Sequence, residues 1–87
     1  MVPQARLNMI RDAFNALSSS DLQGWGLDTM GWNYNGNQET DDTDLHLLRG
    51  ESERASITIL PEHGATEESL QSQILRRMLE GGLLQAS

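Results

Sequence analysis

The constraint that most limits how this chain can fold is a change of hydrophobic period along it: steps of three and four at both ends, alternation in the middle. At the amino end Leu7, Ile10, Phe14 and Leu17 recur at helical spacing with Ala13 beside them, which predicts an amphipathic helix from Pro3 to about Leu17. Pro3 suits a first helical turn because its missing N–H would have no partner there. Ser18, Ser19, Ser20 and Asp21 compete for backbone hydrogen bonds and end the helix. Arg6 and Arg11 are expected on its wet face.

The stretch from Gly24 to Tyr34 spaces Trp25, Leu27, Met30 and Trp32 with glycines, and each glycine inside a helix costs about 1 kcal/mol relative to alanine. It therefore reads as a strand with Met30, Trp32 and Tyr34 on one face. The two indoles are seven positions apart, so strict alternation sends them to opposite faces, with Trp25 the exposed one. Asn35-Gly36 is a two-residue hairpin turn by composition, because both types tolerate positive φ. The segment from about 35 to 44 then reads as an acidic loop or a frayed return strand.

Two further strands follow. Leu45 and Leu47 share one face of Asp44–Arg49, Ile57 and Ile59 share one face of Ala55–Leu60, and Gly50 to Glu53 connects them as a hairpin. Two leucines against one place His46 and Leu48 on the solvent side. Pro61 stops the last strand, and Thr66 caps a second helix running from Glu67 to about Glu80. Its stripe is Leu70, Ile74 and Met78, flanked by Leu75 and Leu79. Gly81-Gly82 ends it, after which Leu83 and Leu84 fold back or reach a partner. The expected architecture is a single α+β domain over 1–87: helix, three-stranded antiparallel sheet, helix, with both helices on one sheet face.

Composition narrows function mainly by exclusion. With no cysteine, the chain has no disulfide framework, no thiolate metal site and no cysteine nucleophile. No stretch reads as a secretory signal or a membrane span, which gives a cytoplasmic expectation. No lysine is present, so no P-loop exists, and Gly24-Trp25-Gly26 lacks the later glycine of a dinucleotide fingerprint. No cofactor is expected, and six dispersed arginines form no stripe for direct nucleic-acid binding.

The remaining signal is charge. Thirteen carboxylates face six arginines for a net charge of −7, and residues 39–68 carry the whole excess. Such a field favours a basic protein surface as partner. The expectation is a non-enzymatic, acidic protein-binding module, an inhibitor or nucleic-acid mimic, docking through Glu39, Asp41, Asp42, Asp44, Glu51, Glu53 and Trp25 on an arginine- and lysine-rich partner such as a nucleic-acid-binding protein. In size and charge the chain is similar to the small acidic antagonists, anti-CRISPR proteins among them, that phages use against bacterial nucleases; it shares no motif with them. A second reading is a homodimeric acidic chaperone or adaptor using the leucines of the last helix. A third is a small metal-dependent hydrolase using His46 with Asp44, whereas His63 reads as a turn residue.

Overall fold

A computed structural model describes residues 4–37 and 40–85, so the expected helix start at Pro3 lies outside the described residues. The elements are α1 (Gln4–Asn15), α2 (Ser19–Leu22), β1 (Gly26–Asn33), β2 (Asp42–Arg49), β3 (Glu53–Ile59) and α3 (Glu67–Glu80). The strands form one antiparallel sheet in the order β1-β2-β3. Both long helices cover the same sheet face. Ile10, Ala13 and Phe14 of α1 and Leu70, Ile74 and Met78 of α3 share one core with Leu45, Leu47, Ile57 and Ile59. The expected helix, sheet and helix are therefore all present, with one short helix added.

That addition, α2, arises where the serine run was expected only to end a helix. α1 closes with Ala16 and Leu17 donating back to Asp12 and Phe14, and Ser18 then caps the next turn by accepting from the Asp21 N–H. Gln23 closes α2 in the left-handed region, at φ 51°. The chain thus re-enters the core: Leu22 and Trp25 are both buried.

The parity of β1 also departs from expectation. A bulge falls at Asp28, where the register with β2 slips between Leu27 and Thr29. One extra residue restores an odd separation to the same side, so Leu27, Met30 and Trp32 all face inward, opposite Leu47, Leu45 and Thr43. Tyr34 lies past the strand and is exposed.

The β1–β2 connection is not a two-residue turn at Asn35-Gly36: β1 ends at Asn33 and β2 begins at Asp42, and the described residues between them are 34–37, 40 and 41. Asn35 holds it from within: its side-chain oxygen accepts from the Asn37 N–H and the Thr40 hydroxyl, and its amide donates to the Thr40 carbonyl. The acidic loop consequently ends at Asp41, and Asp42 to Asp44 already belong to β2.

α3 matches its expected span and is capped at both ends. Thr66 and Ser69 exchange side-chain and backbone hydrogen bonds as a capping box, with Glu67 and Glu68 in the first turn. At the other end Gly82, at φ +76°, lets Leu83 N–H reach the Met78 carbonyl and Gly82 N–H the Leu79 carbonyl, which turns Leu83 and Leu84 back onto the core. The apolar stripe of α3 contains one polar member, Gln73, which is 2 % exposed. Its amide accepts from the Leu60 N–H at 2.6 Å and donates to the Leu60 carbonyl at 3.1 Å, closing the backbone where Pro61 ends the sheet. Replacing Gln73 with leucine leaves both Leu60 groups unpaired and is expected to lower stability by about 1 to 3 kcal/mol, read from urea unfolding.

Candidate interaction face and adjoining cleft

β2 sorts its acidic residues by parity. The inward positions Leu45 and Leu47 are fixed by the core, so Thr43 and the preceding Asp41 follow them inward, while Asp42, Asp44, His46 and Leu48 face outward. Asn33, Thr29, Ser56 and Thr58 stand beside them on the outward face, all exposed, and no helix lies over it.

The acids of this face are positioned by neutral donors. Asn33 Nδ2 donates to Asp42 Oδ1 at 2.6 Å, and Thr58 Oγ1 donates to Asp44 Oδ1 at 3.0 Å. An amide or hydroxyl fixes the direction of a carboxylate and leaves its charge intact. At the other end of the face Arg54 stands 4.0 Å from Asp28, an exposed contact of little energetic weight. The negative charge is thus concentrated at the end where β2 begins.

The other nominated residues fare differently. Glu51 is exposed in the β2–β3 turn, and Glu39 lies outside the described residues. Glu53 is bound in two places by Arg49, Oε1 to Nε at 3.1 Å and Oε2 to Nη2 at 2.7 Å. Asp41 is 1 % exposed and accepts from Trp32 Nε1 and the Asn35 N–H, so it belongs to the interior. Trp25, expected to be exposed, is 6 % exposed: its Nε1 donates to the Leu83 carbonyl and the Arg49 guanidinium covers its ring at 4.7 Å. Trp32 is half-buried beneath Arg6, whose guanidinium lies 5.1 Å from the ring centroid, so Arg6 is not simply on the wet face of α1.

His46 is exposed on the outward face, but the carboxylate two residues before it is engaged by Thr58. Among the described residues no three His, Asp or Glu side chains are grouped to hold a metal ion, and no helix is long and apolar enough to cross a membrane.

On the helix side of the same sheet end lies a cleft of about 230 Å³. Met9 and Ile10 of α1, Ile59 and Leu60, and Leu70 of α3 supply apolar walls, with Arg6, Asp41 and Glu62 as its charged ones. Periodicity gave no sign of it, because Glu62 and Leu60 lie beyond the last strand and their place is set by the Gln73 clamp. No family model, no curated protein and no solved structure matches this chain.

The Arg49 contact holds the Glu53 carboxyl below its ordinary range, chiefly through the hydrogen bond it donates. A depressed folded value contributes stability above the unfolded-state value, and this is lost as pH falls through the folded one. Arg49→Met is expected to raise the Glu53 midpoint in a carboxyl-carbon NMR titration and to expose Trp25 to solvent quenching.

Proposed function

We propose that this chain is a non-enzymatic protein-binding module whose outward sheet face docks on a basic protein surface, of the kind that nucleic-acid-binding proteins present. The supporting observation is that Asp42 and Asp44 are oriented on an uncovered face by neutral donors, with no guanidinium of the described residues in ion-pair contact with either. Preoriented anions lose less freedom on meeting a cation than mobile ones do, and a net charge of −7 steers the approach. The docking set is accordingly Asp42 and Asp44, with exposed Glu51 at the turn; Asp41, Glu53 and Trp25 serve the fold. An inhibitor occupying a partner's phosphate-binding groove in the cytoplasm fits this charge distribution.

Binding of a lysine- and arginine-rich peptide, followed by fluorescence anisotropy, tests the face. Asp42→Asn with Asp44→Asn removes two exposed charge contacts of about 0.5 kcal/mol each, so affinity at low salt is expected to fall about fivefold. Glu67→Gln with Glu68→Gln removes the same charge from α3 and is expected to change it less than about twofold. Equal losses for the two pairs would show that net charge alone attracts the peptide.

A further inference from the structure

The β1–β2 connection holds a reactive pair whose two halves are treated differently. Asn35 precedes Gly36, and no other asparagine of the chain precedes a glycine. The backbone nitrogen after an asparagine can attack the side-chain amide carbon and close a five-membered imide, and glycine leaves that approach free of a side chain. The nucleophilic half is open here. Gly36 is exposed, a Cβ built on it meets no atom within 4 Å, and its N–H donates to no group among the described residues. The electrophilic half is held. Asn35 Oδ1 accepts from the Asn37 N–H and the Thr40 hydroxyl, each at 3.1 Å, and Nδ2 donates to the Thr40 carbonyl at 3.3 Å.

We propose that Asn35-Gly36 is a self-modification site kept closed by its own loop, in which release of the carboxamide from Asn37 and Thr40 lets the Gly36 nitrogen convert Asn35 into aspartate or isoaspartate. The Gly36 N–H gives its proton to water or hydroxide as the nitrogen bonds to Asn35 Cγ. The Cγ–Nδ2 bond then breaks, and ammonia leaves with a proton taken from water. Water opens the imide. Breaking the new bond to Cγ leaves aspartate, and breaking the bond from the Asn35 main-chain carbon to the Gly36 nitrogen leaves isoaspartate, with the main chain routed through the former side chain. The balance is water consumed and ammonia released.

The gate follows from where the bonds lie. Imide closure rehybridises Cγ and turns the amide plane, so a carboxamide bonded at both its oxygen and its nitrogen must give up those partners first. The Asn35 N–H donates to Asp41, which also ties the main chain of the site to the interior carboxylate. The change is one-way. A carboxylate at position 35 has no N–H for the Thr40 carbonyl and turns an acceptor toward it, so the loop cannot close again as before. It also adds an anion at the end of the sheet where β2 begins. None of this depends on the docking face.

The folded protein is incubated at mildly alkaline pH, and intact mass with peptide mapping follows conversion at position 35 and separates the aspartate product from the isoaspartate one. Conversion is expected at Asn35 and not at Asn8, Asn15 or Asn33, and more than about tenfold faster in the chain unfolded by guanidinium. Thr40→Val removes the hydroxyl bond to Oδ1 and is expected to speed conversion of the folded chain about fivefold. Thr40→Ser keeps a hydroxyl and is expected to keep the wild-type rate. In guanidinium all three chains are expected to convert alike. A folded wild type that converts as fast as the unfolded chain, or no faster conversion in folded Thr40→Val than in wild type, would overturn the gate. Absence of conversion at position 35 in guanidinium would overturn the site itself.

Discussion

The carboxylate of Asp41 is the contact on which the acidic end of the molecule depends. Its burial is costly unless donors replace water, and two do: the Trp32 indole N–H at 2.9 Å and the Asn35 backbone N–H at 2.7 Å. The first fixes the indole on which Arg6 stacks, and the second closes the β1–β2 loop onto the strand that carries Asp42 and Asp44. One internal acid thus sets the geometry of the external ones. Without it the loop keeps the bonds within Asn35, Asn37 and Thr40 but loses the two that Asp41 accepts from Trp32 and the Asn35 N–H.

What the sequence disclosed was decided by regularity. The last helix has an unbroken apolar stripe between Thr66 and Gly81, and its expected and observed spans coincide at Glu67 and Glu80. β2 and β3 alternate cleanly and were recognisable, each with an end extended by residues too polar to announce themselves, Asp42 and Thr43 in one case and Glu53 and Arg54 in the other. The Gly-Trp region was misleading because parity is a global count and a single bulge at Asp28 inverts everything on one side of it. Trp25 was therefore assigned to solvent when α2 and the bulge together put it under Arg49.

Of the candidate face, the charge was legible in the sequence and the arrangement of the acids was not. Charge counting treats Asp41, Asp42, Asp44 and Glu53 as equivalent, yet burial removes the first and Arg49 neutralises the last. The parity that placed His46 outward also places Asp42 and Asp44 outward and Asp41 inward, so part of the sorting was available from Leu45 and Leu47 alone. The fate of Glu53 was not, since its pairing with Arg49 needs the two flanks of a turn to meet at Gly50. Nor was the cleft, which exists because a glutamine on a leucine-rich helix stripe binds the backbone of Leu60.

A three-stranded sheet covered on one side has three ways to meet a partner: either free edge or the open face. Both edges here carry obstacles to strand addition. β1 is distorted by its bulge, and β3 begins with the charged pair Glu53 and Arg54 and ends where Gln73 takes both backbone groups of Leu60 just before Pro61. The face has no such obstacle, and its hydrogen bonds aim carboxylates outward. Edge pairing would use backbone groups with little regard for charge, whereas a face dressed in oriented acids discriminates by charge and shape. The proposed docking on a basic surface therefore uses the open face, where the oriented acids lie, and neither sheet edge.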